Sequence, residues 1–257
     1  MSYKSPIEDF KYNLAMLNYD EVIAGIEKFK EYDSETLMSV VSEIGRLNEQ
    51  EVLDSNKIGD REGLKYVTDG AEGPEVHTPE RFKKLYDAVK SSGYVGATMP
   101  TQYGGGGAPF TTAILAGEIG IAANMAFYMG PGLSHGAMKT ILKKATEELK
   151  DKYLPNMTSG EWMGTMCLTE PQCGTDLGLI KSTAVPKDDH YELTGQKIWI
   201  SFGEHDLTEN IIHLVLARTP DAPEGIKGIS LFLVPKRLDD NSRNTIYCGG
   251  LEHKLGI

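Results

Sequence analysis

The chain has 257 residues, 40% hydrophobic and 25% charged, enough for one large domain or two ordinary ones, each with a core of its own. Its 26 Lys+Arg against 37 Asp+Glu give a formal net charge of −11, and no dense basic cluster interrupts it. That excludes nucleic-acid binding as a first reading, because phosphate recognition needs a basic stripe. Cys167, Cys173 and Cys248 are too few and too scattered for a disulfide framework or a structural zinc site, and they suit a reducing cytoplasm. His135, His205 and His253 show no metal-ligand spacing, so no metal is expected.

The first ten residues are polar and lack the apolar run of a secretory signal. Residues 20–30 place Val22, Ile23, Ile26 and Phe29 at helical spacing. Residues 34–53 repeat the period through Leu37, Val40, Val41, Ile44 and Leu47, with Ser34 as the expected N-cap. A connection rich in Gly and Asp follows over 59–74. Thr78-Pro79-Glu80 then opens a helix through Val89, with Pro79 expected at its first helical position and Ser92-Gly93 at its end.

Gly104 to Gly107 form a glycine run that invites a phosphate-loop reading. No Lys-Ser/Thr follows it, so a flexible connection is expected instead. Residues 111–129 are nearly apolar over a length that could span a membrane. Glu118 and Asn124 interrupt them, and charge at a span's centre is costly, so a buried core helix and no membrane span are expected. Glu118 is then expected to be a paired structural carboxylate. Two more helices are read over 132–143 and 146–153, the second stopped by Pro155.

Beyond residue 160 the character changes. Residues 191–201, 211–218 and 228–235 read as strands, separated by turn-rich runs at 187–190 and 220–225. Helices first and strands later make an α+β fold with segregated layers. An all-helical domain is expected over 1–158 and a β-rich domain over 159–257.

Residues 166–176 combine an apolar run, a Thr169-Glu170-Pro171 corner and a Gly174-Thr175 step, which could offer donors to an electron-rich ring or a diphosphate; a plain turn is the alternative. Strand alternation over 191–201 would put Trp199 and Ser201 on one face, an aromatic surface beside a hydroxyl, as a planar heterocycle requires. A tryptophan that simply fills the core is the competing account.

Together, Leu168-Thr169-Glu170-Pro171-x-x-Gly174-Thr175-Asp176 and Tyr191-x-Leu193-Thr194-Gly195-x-Lys197-x-Trp199-Ile200-Ser201 resemble the middle-domain signature of the acyl-CoA dehydrogenase family. Tyr153-Leu154-Pro155, Ser159-Gly160-Glu161-Trp162 and the run from Gly228 to Pro235 extend the resemblance over nearly the whole chain. Tyr3-x-Ser5-Pro6-x-x-Asp9 and the run from Gly203 to Asn210 are similar to the extended branch that includes 3-methylmercaptopropionyl-CoA dehydrogenase.

The resemblance implies a β-barrel-like middle domain facing FAD and α,β-dehydrogenation of an acyl-CoA thioester. By position it implies that Met166, Leu168, Thr169, Gly174, Thr175, Trp199, Ile200 and Ser201 bind the cofactor, with Thr175 also on the acyl thioester's path. Where the family often has Ser and Thr, this chain has Thr175 and Ser201, and both swaps keep a hydroxyl. The catalytic glutamate is expected in a later helical domain that this chain lacks, the middle domain being incomplete at its C-terminal end. Glu170, at a corner the family uses structurally, is not expected to replace it. The chain alone is therefore expected to be inactive and to bind FAD weakly or not at all. The implied partners are an acyl-CoA substrate, an electron-transfer flavoprotein as acceptor, and further copies of the full-length protein. An acyl-CoA oxidase-type flavoenzyme and a noncatalytic binding module of the same fold are the alternatives.

Overall fold

The computed structural model describes residues 3–254. Its first half is helical: α1 Ile7–Met16, α2 Tyr19–Ala24, α3 Ser34–Leu47, α4 Leu53–Glu62, α5 Glu80–Ser91, α6 Phe110–Lys144 and α7 Glu147–Ser159. Strands β1 Lys65–Val67 and β2 Glu75–His77 pair as a hairpin inside the stretch expected to be a plain connection. The second half holds β3 Trp162–Cys167, β4 Thr183–Pro186, β5 Tyr191–Thr194, β6 Asn210–Ala217 and β7 Ser230–Pro235.

The strands form small sheets, and no closed barrel is found among the described residues. In the larger sheet β6 is central, parallel to β3 and antiparallel to β7, while β4 and β5 make a separate antiparallel pair. Arg218, just past β6, bonds both of its backbone groups to the start of β4. Its guanidinium donates to the carbonyls of Gly178, Ile180, Pro223 and Gly225, so loops distant in sequence converge on one cation.

Helices meet sheet in one core, in which Phe82, Tyr86, Phe127, Met138, Leu154 and Met157 pack with Met163, Ile212 and Leu214. Gly164 of β3 is a point of close approach, because an added Cβ would lie 2.7 Å from both Ala137 Cβ and Met157 Cε. A glycine allows this contact and no other residue fits it. Gly160, left-handed at φ 83°, ends α7 and accepts a 2.7 Å bond from the Tyr86 hydroxyl. That turn carries the chain from the helices into the sheet.

Several local expectations are corrected. The helix read over 20–30 ends at Ala24 and gives way to a 3-10 turn at Glu27–Phe29. Asp33, rather than Ser34, caps α3, accepting from the Thr36 amide at 2.8 Å. Helical structure continues from α3 through a π-helical turn at Asn48–Val52 into α4, absorbing the start of the expected connection. Pro79 is the N-cap of α5, one place earlier than expected. Pro155 lies inside α7, which runs on to Ser159.

The glycine run is ordered rather than flexible. The amides of Gly105, Gly106 and Gly107 donate to the carbonyls of Pro100, Gly96 and Met99, which leaves them no capacity for a phosphate. The apolar stretch and the helix after it form one element, α6, bent at Asn124 (φ −156°, ψ 91°). By length and composition α6 could cross a membrane, and one of its stripes packs into the core. The other stripe is not buried: Phe110, Ile114, Ile121 and Met125 are exposed, and so is Glu118, which has no ion-pair partner among the described residues.

Candidate functional site

β3 delivers Met166 to the end of the sheet, and Leu168 and Thr169 carry the chain out of it, all three half-buried. Glu170-Pro171-Gln172-Cys173 then closes a tight turn, since Glu170 and Cys173 exchange both backbone hydrogen bonds, at 2.8 and 3.0 Å. Proline suits a central turn position because its φ is already set. Beyond the turn, Gly174 and Thr175 are exposed, and a Cβ on Gly174 would touch the Thr169 methyl at 3.2 Å.

The Glu170 side chain points inward and is 3% exposed. One carboxylate oxygen accepts from Lys197 Nζ at 2.8 Å and from the Ser182 hydroxyl and amide at 2.6 and 3.1 Å. The other accepts from Gln172 and from the Lys181 amide at 2.6 and 2.8 Å. Burial pushes this carboxyl up, but the bonds from Lys197, Ser182, Lys181 and Gln172 outweigh it and bring it down to about 2. The group is an ionised structural hub with every lone pair committed.

Lys197 also donates to the Leu168 carbonyl at 3.1 Å, and the Ile198 amide donates to the Thr169 carbonyl at 3.0 Å. These bonds lay residues 197–199 alongside residues 168–169. The two sequence strings therefore meet in space.

They do not meet as strand against strand. β5 ends at Thr194, and the following residues have no regular structure. Trp199 has φ 60° and Phe202 φ 54°, so the alternation that put Trp199 and Ser201 on one strand face is overturned. The core-filling account of Trp199 fails as well, because its side chain is 43% exposed, with Lys254 Nζ 5.1 Å from the ring centroid. Ile200 and Ser201 are half-buried in the same turn. No described residue bonds to the side-chain hydroxyls of Thr169, Thr175 or Ser201.

Two titratable groups of the larger sheet, His213 and Cys167, are held in their neutral forms by burial. His213 on β6 accepts or donates one bond to Thr165 at 2.7 Å, and burial lowers its pKa to about 4. Burial pushes the neighbouring Cys167 thiol up. No cluster of three or more His, Cys, Asp or Glu side chains fit to hold a metal occurs among the described residues. A polar cavity of about 550 Å³, lined by Glu204, His205, Asp206, Lys236, Arg237 and Arg243 among others, contains none of the residues expected to bind cofactor.

Residues 65–161 match the model of the acyl-CoA dehydrogenase N-terminal domain, and residues 165–257 match that of the acyl-CoA dehydrogenase middle domain. The chain belongs to the acyl-CoA dehydrogenase family. It is 40% identical over its full length to 3-methylmercaptopropionyl-CoA dehydrogenase of Ruegeria pomeroyi and spans 44% of that protein. Its fold matches an acyl-CoA dehydrogenase complexed with FAD from Bacillus anthracis, with a TM-score of 0.63 at 25% identity, covering 80% of this chain and 32% of that one. It also matches a chain in the structure of the electron transferring flavoprotein of Acidaminococcus fermentans, with a TM-score of 0.65 at 27% identity, covering 79% and 48%. In this chain of the acyl-CoA dehydrogenase family the paired signature is thus joined by Lys197 and by Glu170, whose corner the resemblance had implied to be structural.

Proposed function

We propose that this chain supplies the flavin-facing surface of an FAD-dependent acyl-CoA dehydrogenase that oxidises the α,β bond of an acyl-CoA thioester. The observation that carries this reading is the Trp199 indole, exposed in a left-handed turn and tied by its neighbours Lys197 and Ile198 to the Leu168–Thr169 corner. An aromatic of this size is ordinarily buried, and an exposed flat ring beside uncommitted hydroxyls fits a planar heterocycle with acceptor atoms on its edge.

Trp199 and Ile200 would then offer the packing surface. Met166, Leu168 and Thr169 would line one edge, Gly174 would let backbone approach, and the Thr169, Thr175 and Ser201 hydroxyls would orient the ring and diphosphate. Thr175 would also border the thioester. FAD, when bound, supplies an acceptor for the substrate's β-hydride. The residues of this chain bind and orient, and they keep the surroundings of the ring fixed.

We assign no catalytic base here. Glu170 is geometrically committed, and a carboxylate held at about 2 is a poor proton acceptor near neutral pH. This chain alone is accordingly proposed to be inactive. An electron-transferring flavoprotein as acceptor, self-association and a cytoplasmic setting belong to the same proposal. The first is supported by the fold match just described and the second by the apolar stripe of α6. Free thiols at Cys167, Cys173 and Cys248 support the third.

The test is a visible absorbance titration with FAD, followed by acyl-CoA under anaerobic conditions. Bound flavin that is lost or weakened on Trp199→Ala is expected. Binding indifferent to that substitution would remove the basis for the assignment. Bleaching by acyl-CoA would show that a base lies within this chain.

A further inference from the structure

Beyond Thr194 the expected strand is replaced by an irregular strap, and the strap is held at both ends. Lys197 is anchored on Glu170 at 2.8 Å. Glu204, its carboxylate 5% exposed, is anchored on Lys236 and on Arg243, the latter at 2.7 Å. Between these anchors stand two aromatic residues in left-handed backbone, Trp199 and Phe202. The turn between them is closed by a 3.0 Å bond from the Gly203 amide to the Ile200 carbonyl. Bulky side chains occupy that conformation at a cost, and such a turn persists only where its surroundings determine it.

Phe202 meets that condition. Its ring fills a notch on α6 at Gly130, where an added Cβ would lie 2.7 Å from Phe202 Cε1 and 2.8 Å from Cδ1. The ring also stands edge-on to the buried His205, centroids 5.7 Å apart, and His205 is fixed by a 3.2 Å bond from the Leu207 amide to its Nδ1. Gly130 belongs to the helical half of the chain and Trp199 to the other, so the contact couples the helices to the strap.

We propose that Phe202, seated against Gly130, is a positioning residue for Trp199: the wedged ring holds the Ile200–Gly203 turn and so presents the indole outward. This rests on the reading of Trp199 as flavin-facing, and it adds a determinant of the site that touches no ligand. The coupling is steric, and it is sensitive to a single methyl group on α6.

The chain has two tryptophans, so a Trp162→Phe background leaves Trp199 as the sole reporter. Gly130→Ala is compared there with Gly132→Ala, a control on the same helix whose Cβ meets nothing within 4 Å. Near-UV circular dichroism and acrylamide quenching of Trp199 are measured without flavin, and FAD affinity is then measured by titration. Gly132→Ala is expected to match the parent. Gly130→Ala is expected to change the Trp199 signals and to weaken FAD binding by about tenfold or more. Adding Phe202→Leu to Gly130→Ala is expected to recover part of that loss by removing the clash. Unchanged Trp199 signals in Gly130→Ala would overturn the positioning role whatever happens to FAD. Changed Trp199 signals in Gly130→Ala uphold the positioning, and FAD binding by the parent that is indifferent to Trp199→Ala would overturn the flavin reading. If Gly130→Ala does not fold, Phe202→Leu alone decides, because an unaltered Trp199 signal there sinks the proposal.

Discussion

Glu170 and Lys197 stand 27 positions apart in the chain and meet at 2.8 Å, with side chains 3% and 10% exposed. This pair joins the two halves of the family signature, because Lys197 reaches past the carboxylate to the Leu168 carbonyl. A buried charge pair stabilises only when its remaining hydrogen-bonding capacity is filled, and Ser182, Lys181 and Gln172 fill it here.

Removing one partner leaves the other charge buried and uncompensated. Lys197→Met is therefore expected to cost about 3–5 kcal/mol in urea denaturation. The double variant Glu170→Met/Lys197→Met should cost clearly less than the sum of the two single changes. Strict additivity would mean that the two side chains act independently.

Acid sensitivity should begin above the carboxylate range. Burial holds His213 at about 4 and His205 at about 3, against an ordinary value of 6.5. In the unfolded chain these rings take up protons as pH falls below 6.5, while the folded rings stay neutral, so stability drops from pH 6.5 towards 4. The Glu170 contribution is present above about 4.5 and is lost as pH falls towards 2. Urea midpoints at pH 7.5, 6, 5 and 4 check the order, and His213→Gln should flatten the first part of the decline. A midpoint constant from pH 7.5 to 5 would contradict neutral burial of both rings.

The bend of α6 is built by one side chain. Asn124 is buried, donates to the Ser55 hydroxyl at 2.8 Å and accepts from the Phe127 amide at 3.0 Å, thereby capping the second half of the helix. Asn124→Ala is expected to cost about 1–3 kcal/mol by stranding those partners. Hydrogen exchange should show the loss first at the Phe127 amide. Unchanged protection there would mean that the bend is imposed by packing alone.

Gly164→Ala should be destabilising, since the new carbon would stand 2.7 Å from two packed side chains. Overpacking of this kind costs about 1–3 kcal/mol. Gly117→Ala meets nothing within 4 Å and should be neutral or mildly stabilising in the same thermal melt. Equal melting temperatures for the two variants would contradict the close approach of β3 to the helices.

Local chemistry is what the amino-acid order determined by itself. Helical periods in α3 and α5, the apolar runs of β6 and β7, and the change from helix to strand near Gly160 were all readable, because each depends on neighbours within a few residues. The paired signature of residues 168–176 and 191–201 was readable for the same reason, and the family followed from it.

Tertiary structure alone decided how those strings are used. Periodicity extended β5 to Ser201, but the Lys197 anchor and the Phe202 wedge bend the chain into left-handed turns that no local preference favours. Nothing in the order of residues marks Gly130 as the seat of Phe202 or Asn124 as a cap within a helix. Nor does it mark Glu170 as saturated, because each role is set by a partner tens of residues away. Short-range preferences are worth about 1 kcal/mol per residue or less, and buried long-range contacts of several kcal/mol override them wherever the two disagree.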